Sequence, residues 1–407
     1  MSATLTELPP HQRAQDLLRA DAHISRLRLS EFRAVASADL SCARGAIVIV
    51  GANGGGKTSV LEAVSLLAPG RGLRRAKPGD ITRRGGNTPG GWAVSAVVGA
   101  EPGIRIGTGL QKDKLGRERR LYRVNGEPAK AAELAQALRL LWVTPATERL
   151  FEDAKETRRA FFDHLVCGLD PAHQARLTRY DRARAERLQV LIDGTERASW
   201  LGGLEEIMAA EGAAITLARA DALAHLAAEI ARNALAHEAH FPRAELALEG
   251  GIERLFAEYS QAEAERHFAA ELRGARARDG AAGKSLVGPH RSDLRARLAA
   301  SGLPAEMSST GEQKALLYGI VLAQARLIAK EFGAPPVILL DAVAAHLDEA
   351  RRDRFLEALR GLNAQVFLTG ANLAPFAAIA EAAQIFEAAG GQIRPAVAKS
   401  LSRIQDR

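Results

Sequence analysis

Apolar and polar positions alternate through residues 23–40, "HISRLRLSEFRAVASADL", and the pattern then becomes uniformly apolar at "AIVIV". Alternation with a period of two predicts half-exposed strands, and a short apolar run predicts a strand buried on both faces. We therefore predict two edge-type strands followed by one buried strand. Further strands are predicted at "WAVSAVV" and "IRIGTGL", with a turn at Asn125-Gly126.

The pattern changes near residue 150. From "ERLFEDAKETRRAFFDHLV" to about residue 240 the apolar positions recur at helical spacing, and "LEEIMAAEGAAITLARADALAHLAAEIARNAL" predicts one long helix or two stacked helices. Strands return at "PPVILLD" and "QVFLT". This order predicts an α/β head interrupted by a helical lobe. The predicted parts are an N-terminal extension (1–22), the first part of the head (23–150), the lobe (151–284) and the second part of the head (285–407).

Composition is that of a globular protein, with 407 residues, 47% of them apolar and 25% charged. No apolar run approaches the roughly 20 residues that span a bilayer, and the N-terminus lacks a signal-peptide pattern. Only Cys42 and Cys167 are present, which favours a reducing compartment, so we expect a cytoplasmic protein without a membrane partner. The net charge of +7 weakly favours a polyanionic partner.

A glycine-rich loop lies between the predicted buried strand and a predicted helix in "GANGGGKTSVLEAVSLL". Glycines let the backbone wrap around phosphates, so that amide N–H groups and the helix N-terminus point at negative charge. The GxxxxGK[ST] spacing predicts an ATP site in which Lys57 reaches the β- and γ-phosphates and Thr58 ligates Mg²⁺. The predicted ATP-binding residues are Gly51, Ala52, Asn53, Gly54, Gly55, Gly56, Lys57, Thr58 and Ser59.

Asp341 follows four apolar residues in "PPVILLDAVAAHLDEARR". A buried strand that ends in a carboxylate is typical of the second Mg²⁺ ligand of a nucleotide hydrolase; the alternative is an Asp that caps the next helix. In such hydrolases a second carboxylate usually follows and polarises the attacking water. Ala342 stands at that position, so the expected base is missing.

The segment "MSSTGEQKALLYGIVLAQARLIA" begins with a Ser-Thr-Gly-Glu turn at residues 309–312 and continues as an apolar helix. Exposed amides at such a turn favour an anion. The alternative is that Ser309 and Glu312 form a capping box without a ligand. The position shortly before the strand of Asp341 favours anion binding.

Together these segments resemble the ABC-type ATPases. "STGE" is similar to their signature motif, Ser-Gly-Gly-Gln or Ser-Gly-Gly-Glu in most members, and "AHLD" resembles their D-loop. The inserted lobe resembles the SMC-like branch, and "LSEFRAVASADL", "GPHRSDL" and "STGEQK" resemble the RecF family within it. The resemblance covers about residues 23–400. It implies an α/β fold, an ABC-type (SMC-like head) ATPase domain with an inserted, mainly helical lobe.

The resemblance implies a DNA-dependent ATPase of DNA replication, recombination and repair and of the SOS response. With Mg²⁺, two ATP molecules would join two copies, the signature of one copy closing over the ATP of the other. The implied partners are a second copy, double-stranded DNA, single-strand/double-strand junctions, RecR and, functionally, RecO. The implied signature residues are Ser309, Thr310, Gly311 and Glu312, and the implied D-loop residues are Ala345, His346, Leu347 and Asp348.

Two positions depart from the family pattern. Because Ala342 replaces the water-activating carboxylate, we expect the chain to bind ATP but to hydrolyse it very slowly; a deliberate substitution and a natural loss both fit. "FLTGANL" lacks the His that many ABC ATPases place after the last core strand, which leaves the γ-phosphate sensor open. His346 and His290 are interpreted as structural or interfacial residues rather than bases.

Two basic segments are candidates for DNA contact, because Arg and Lys neutralise phosphates, although a basic segment can equally be a solvated surface. Aromatic residues make up 5% of the chain, so recognition of single strands by base stacking is not expected. The candidates are Arg71, Arg74, Arg75 and Lys77 in one segment and Lys112, Lys114, Arg119 and Arg120 in the other.

Two other functions remain open at this stage. A non-hydrolysing structural clamp would use ATP only to dimerise, and Ala342 favours it. A nucleotide-binding subunit of a transporter is disfavoured by the inserted helical lobe.

Overall fold

The computed structural model describes residues 22–83, 85, 91–100, 102–112, 116–194, 198–232, 241–342 and 347–396. They form two compact units, one made of residues up to 148 and from 321 onwards, the other of residues 149–320. Each unit has its own cluster of buried apolar side chains.

Strands and helices are numbered along the chain. The strands are β1 (Ile24–Phe32), β2 (Val35–Ser41), β3 (Ala46–Val50), β4 (Ala93–Val98), β5 (Ile104–Lys112), β6 (Glu118–Val124), β7 (Glu127–Pro128), β8 (Leu140–Val143), β9 (Ala244–Glu249), β10 (Asp293–Leu298), β11 (Val337–Leu340), β12 (Val366–Gly370), β13 (Gln384–Ala389) and β14 (Gln392–Pro395). The helices are α1 (Lys57–Ser65), α2 (Ala131–Ala137), α3 (Lys155–Leu169), α4 (His173–Ile192), α5 (Ala198–Arg232), α6 (Gly251–Glu258), α7 (Gln261–Gly274), α8 (Arg276–Ala282), α9 (Thr310–Phe332) and α10 (Glu349–Gly361).

The first unit contains two sheets. One is antiparallel with the order β2-β1-β4-β5-β6-β7, and the other has the order β14-β13-β3-β12-β11-β8. In the second sheet all neighbours are parallel except β14, which pairs antiparallel with β13. The carboxyl ends of β3, β12 and β11 therefore meet at one edge, where open α/β sheets bind ligands.

The strands predicted before the phosphate loop are confirmed, and β3 is buried within its sheet. The prediction that both leading strands lie at an edge is wrong for β1, which pairs with β2 on one side and β4 on the other. Alternation of apolar and polar residues indicates that one face of a strand is exposed. It does not indicate an edge position, because a central strand of an antiparallel sheet shows the same alternation.

Helix α1 contacts β1 of the antiparallel sheet and β11 and β12 of the parallel sheet. It is buried from Ser59 to Ser65, so even Glu62 and Ser65 have no exposed surface. A helix buried all round fixes the loop that precedes it, because neither sheet leaves it room to move.

The second unit is mainly helical. The long apolar-periodic segment forms one continuous helix, α5, of 35 residues, which settles the alternative of two stacked helices. Strand β10 pairs antiparallel with β9, so this unit extends beyond residue 284, the predicted end of the lobe; the predicted functional domain boundaries stay predictions. In the described part of the chain, no helix is both long enough and apolar enough to cross a bilayer.

Buried ion pairs hold the helices of the second unit together. Arg187 is fully buried and donates to Glu205 at 2.9 Å and to Asp279 at 2.6 Å. Arg219 donates twice to Asp163, each at 2.8 Å. Removing one member of such a pair leaves an uncompensated buried charge, so these arginines serve the fold.

The "GPHRSDL" segment is explained by packing in the same unit. A Cβ atom on Gly288 would lie 2.1 Å from the Tyr180 hydroxyl oxygen. The Nε2 atom of His290 lies 3.0 Å from the carbonyl oxygen of Ser285, so Nε2 is the donor, and Nδ1 accepts from the Tyr180 hydroxyl at 2.8 Å. His290 is thus a structural residue, as interpreted from the sequence.

These contacts predict a pH dependence of stability. Burial lowers the pKa of His290 to about 4, whereas an unfolded His titrates near pH 6.5. Between these values only the unfolded chain takes up the proton, so the free energy of unfolding falls as the pH drops through this window, by at most about 3 kcal/mol.

Urea unfolding followed by circular dichroism between about pH 7 and pH 4 measures this contribution. The His290→Gln variant cannot take up the proton, so its stability should decline less steeply than that of the parent chain. Identical slopes in the two proteins would show that His290 does not titrate as the geometry requires.

Candidate nucleotide-binding site

The glycine-rich loop packs directly against the end of β13. A Cβ atom on Gly51 would lie 2.1 Å from the carbonyl oxygen of Ala388, and one on Gly55 would lie 2.4 Å from the same oxygen. Gly56, which precedes α1, has a φ of 109° that residues with a Cβ rarely adopt. Glycine is therefore required here by packing against β13 as well as by the phosphate chemistry predicted from the sequence.

Lys57 opens α1, and its side chain turns back over the loop. Its Nζ donates to the carbonyl oxygens of Gly51 at 2.6 Å and Ala52 at 2.9 Å. Burial lowers the pKa of Lys57, and the nearby Asp341 carboxylate acts in the opposite direction. The geometry places an ammonium group inside the curve of the loop, where it can meet a phosphate.

Asp341 lies at the end of β11 with 9% of its surface exposed. Its Oδ1 atom accepts hydrogen bonds from the hydroxyls of Thr58 at 3.0 Å and Thr369 at 2.8 Å. Thr58 follows β3 through the loop, and Thr369 belongs to β12, which lies between β3 and β11. Three adjacent parallel strands thus bring their polar groups to one carboxylate oxygen.

These residues fit a magnesium ion that shares its coordination with phosphates. Mg²⁺ commonly takes one or two protein oxygens and completes its shell with phosphate and water. The Thr58 hydroxyl and the Asp341 carboxylate, 3.0 Å apart, supply such a pair. Among the described residues, no cluster of three or more His, Cys, Asp and Glu side chains could hold a metal alone.

Ala342 occupies the predicted position of the catalytic base. Its φ is 56°, in the left-handed region, which costs an L-residue roughly 1–2 kcal/mol. Its N–H donates to the Thr369 hydroxyl at 2.8 Å. Thr369 therefore bonds both the Asp341 carboxylate and the backbone of the next residue, which fixes the direction of the side chain at 342.

A buried carboxylate holds two arginines at the wall of the site. Arg33 donates to both oxygens of Glu62, at 2.6 and 2.9 Å. The Nη1 atom of Arg74 lies 3.7 Å from Oε2 of Glu62, the oxygen that accepts from Nε of Arg33. Glu62 has no exposed surface, and its hydrogen bond to Arg33 raises the pKa of that guanidinium. Both guanidinium groups therefore lie at the wall of the cavity that contains the phosphate loop.

A cavity of about 970 Å³ opens above the loop, a volume within the usual range of small-ligand sites. Asp80 and Asp341 are the only carboxylates among the described residues that line it. Asp80 is therefore the one described carboxylate besides Asp341 in that lining. The other polar residues lining the cavity include Arg33, Asn53, Lys57, Thr58, Arg74, Arg83, Thr369 and Asn372.

The predicted signature residues begin helix α9, and Ser309 and Glu312 form the capping box given as the alternative. The Ser309 hydroxyl donates to the Glu312 carboxylate at 2.7 Å, and the Glu312 N–H donates to the Ser309 hydroxyl at 3.3 Å. Gln313 donates to the carbonyl of Ser308 at 3.1 Å. Ser309 and Thr310 are exposed, whereas Gly311 and Glu312 are half-buried, so the cap is compatible with a ligand in trans.

The predicted D-loop is described in part. Leu347 is buried, and Asp348 caps α10 by accepting from the N–H of Arg351 at 2.9 Å. Ala345 and His346 lie outside the described residues.

The predicted DNA-contact residues separate into groups. Arg120 is held inside the protein: its Nε donates to the Thr108 hydroxyl at 3.0 Å, and its other nitrogens donate to the carbonyls of Leu66 and Gly70. Arg74 lines the nucleotide cavity. Arg71, Arg75, Lys77 and Arg119 are exposed, the backbone of Lys112 ends β5, and Lys114 lies outside the described residues.

Sequence reasoning missed Thr369, Arg33 and Glu62. Thr369 lies within "FLTGANL", which was noted only for its lack of His. The available signal was that β12 is an apolar strand with a hydroxyl at its carboxyl end, where parallel strands place ligands. Arg33 lies at the β1–β2 turn, and no local pattern connects it with Glu62.

Comparison with known proteins finds similar sequences over most of the chain. A family model described as "RecF/RecN/SMC N terminal domain" matches residues 23–393. The chain is 45% identical over 372 residues to the DNA replication and repair protein RecF of Rhizobium etli (strain CIAT 652), covering 91% of this chain and 98% of the relative. It is 43% identical over 378 residues to the protein of the same name from Mesorhizobium japonicum (strain LMG 29417 / CECT 9101 / MAFF 303099), covering 92% and 98%.

Solved structures support the fold. The recombination mediator protein RecF-ATPrS in the RecFOR pathway matches with a TM-score of 0.79 and 20% identity, covering 93% of this chain and 99% of that chain. The Smc head bound to the C-winged helix domain of ScpA matches with a TM-score of 0.51 and 15% identity, covering 94% and 100%. At these identities the likeness concerns the fold.

The shared hydroxyl of Thr369 generates a testable prediction. Thr369→Val keeps the shape of the side chain but removes the donor to Asp341 and the acceptor for the Ala342 N–H. A hydrogen bond to a charged group contributes roughly 1.5–3 kcal/mol, so thermal unfolding should occur several degrees lower.

Thr369→Ser is the matched control, because it keeps the hydroxyl and should restore most of the lost stability. Equal melting temperatures for the Val variant and the parent chain would show that Thr369 does not support the site.

Proposed function

The chain belongs to the RecF family, within the class of RecF, RecN and SMC N-terminal domains, and on that premise we propose that it is an ATP-gated clamp for DNA in recombinational repair. Two copies would close around two ATP molecules and hold DNA at single-strand gaps and junctions. The observation that carries this proposal is the grouping of Lys57, Thr58 and Asp341 beneath one cavity.

The chain's own groups account for nucleotide binding. The loop amides and the N-terminus of α1 would face the phosphates, and Lys57 would add a positive charge. Bound Mg²⁺, held by Thr58 and Asp341, would neutralise phosphate charge. Arg33 and Arg74, oriented by Glu62, supply further positive charge at the same wall.

We propose that this chain hydrolyses ATP slowly. An alanine methyl can neither accept a proton nor hydrogen-bond the attacking water. Loss of a positioned general base costs about 10²–10⁴ in rate. Because removing a negative charge near the γ-phosphate relieves repulsion, binding should persist. A structural clamp that uses ATP only to dimerise is the second candidate, and Ala342 favours it.

Partners follow from the same proposal. DNA is the main one, and RecR, with RecO as a functional relative, is the expected protein partner. The cytoplasm is the expected location, because Cys42 and Cys167 are both unpaired. Family membership leaves no support for the transporter alternative.

The proposed function predicts that ATP causes the chain to dimerise. Light scattering with ATP and Mg²⁺ should show a doubling of the mass from 43.4 kDa. Ser309→Arg places a bulky charge on the exposed turn and should prevent the doubling while leaving ATP binding within about twofold, since the phosphate loop is untouched.

The chain offers a matched control at Ser260, which forms a capping box with Glu263 at the start of α7. Ser260→Arg removes the same kind of cap without touching the signature and should dimerise normally. If both variants dimerise, the assignment of Ser309 to the partner's ATP is wrong.

The residue at position 342 gives a further prediction. Ala342→Glu restores a carboxylate next to Asp341, so steady-state ATPase activity with DNA should rise at least about tenfold, and the ATP-bound dimer should live for a shorter time. Ala342→Gly is the control, because it relieves the left-handed strain at φ 56° without adding a base.

The Gly variant should gain up to about 1 kcal/mol in stability and no ATPase activity. A parent chain that already turns over ATP as fast as the Glu variant would show that residue 342 is not the base position.

A further inference from the structure

Five arginines of the antiparallel sheet, most of them outside the basic segments singled out from the sequence, share one face. We call this surface the arginine face; it consists of Arg26, Arg28, Arg105, Arg119 and Arg123. We propose that the arginine face holds the phosphate backbones of duplex DNA. This inference deepens the proposed function and rests on it, because it names the surface by which the clamp meets its DNA.

Strand register places these side chains together. Arg28 pairs with Ser95, Ser95 with Gly107, and Gly107 with Arg123. Residues directly opposite in neighbouring strands point to the same face. Three strand spacings separate Arg28 from Arg123, about 14 Å.

The other members follow from the period of two along each strand. Arg26 and Arg28 are two positions apart on β1, Arg119 and Arg123 are four apart on β6, and Arg105 is two before Gly107 on β5. The opposite face carries the core: Leu27 and Ile106 have no exposed surface.

Charge on this face is one-sided. Asp39 is an acidic residue on the arginine face, because it pairs with Arg28 across β1 and β2. Its carboxylate accepts from Arg26 at 2.7 Å and from Arg28 at 3.0 Å. Among the described residues, no carboxylate forms an ion pair with Arg105 or Arg119, and both side chains are exposed. Among the described residues, the face therefore carries more arginines than carboxylates.

Four outward residues at the centre of the face, on β4 and β5, are small. Ala93 pairs with Gly109, and Ser95 pairs with Gly107. Small residues let the backbone of a DNA duplex approach the sheet closely between the flanking arginines. The span of about 14 Å is comparable to the 12 Å width of the major groove, so arginines on β1 and β6 can reach two separate phosphate backbones.

The face favours a duplex over a single strand. Stacking platforms for single-stranded DNA need exposed aromatic rings. The outward residues of β1, β4, β5 and β6 that the structure describes include no aromatic side chain, while Trp92 is buried and Tyr122 packs against the core. Recognition would thus be electrostatic and indifferent to sequence.

The first test reverses charge on the face. The Arg105→Glu/Arg119→Glu variant should bind a labelled 30-base-pair duplex roughly tenfold or more weakly in fluorescence anisotropy with ATP and Mg²⁺. The slope of log affinity against log salt should flatten by about two units, roughly 0.9 for each lost phosphate contact.

The matched control makes the same change of net charge on helices of the second unit. Arg182 on α4 and Arg273 on α7 are exposed, so Arg182→Glu/Arg273→Glu tests a general effect of charge. Only a small loss of affinity and an unchanged slope are expected for this variant. Equal losses in the two double variants would overturn the assignment to the sheet.

The second test should strengthen binding, which damage to the fold cannot do. Asp39→Asn removes the carboxylate that engages Arg26 and Arg28, so duplex affinity should rise severalfold and the salt slope should steepen. Unchanged or weaker binding in this variant would contradict the proposal.

The remaining outcomes separate the two proposals. If the parent chain binds no duplex at any salt concentration, the proposed DNA function fails and the inference fails with it. If the parent binds duplex and the Arg105/Arg119 variant binds equally well, the function stands and the arginine face is excluded. Binding of the parent to phosphatidylserine vesicles but not to DNA would assign the face to a lipid surface and overturn the inference.

Discussion

The carboxylate of Asp341 is the point on which the nucleotide site depends. Thr58 and Thr369 donate to the same oxygen atom. Thr58 lies in the first turn of α1, and Thr369 lies in β12, the neighbour of β11. This convergence requires correct parallel register, because a slip of one residue in β12 would turn Thr369 to the other face. The buried helix α1 keeps Thr58 in place, so the fold of both sheets supports one hydrogen-bonded centre.

The backbone after Asp341 adopts an unusual conformation although residue 342 carries no carboxylate. Ala342 is held at φ 56°, although an alanine gains nothing from that conformation. The hydrogen bond from its N–H to Thr369 compensates part of the strain. The conformation at residue 342 is therefore supported by a backbone hydrogen bond to β12 and not by its own side chain. The hydrogen bonds at Asp341 thus do not involve the side chain of residue 342.

Much of the site could be predicted from the sequence, because its main parts are local. The phosphate loop, the strand of Asp341 and the cap at Ser309 each form within a few residues, so spacing is informative. Thr369 could not be predicted in the same way. Strand β12 follows β11 in the chain but lies between β3 and β11 in the sheet. No spacing rule connects residues whose proximity depends on strand order. The same reason applies to Arg33 and Glu62.

The position of an arginine in the sequence was a poor guide to whether its side chain is exposed. Arg119 and Arg120 are neighbours in one basic segment, yet the guanidinium of Arg120 donates to internal carbonyls and a hydroxyl while Arg119 is exposed. A strand alternates its faces, so one basic segment supplies both a structural and a surface arginine. Conversely, Arg28 and Arg123 are far apart in the chain but lie in one row across the sheet. A polyanion contacts side chains that share a surface, whatever their separation in the sequence. The strand register therefore determines which arginines lie on one surface.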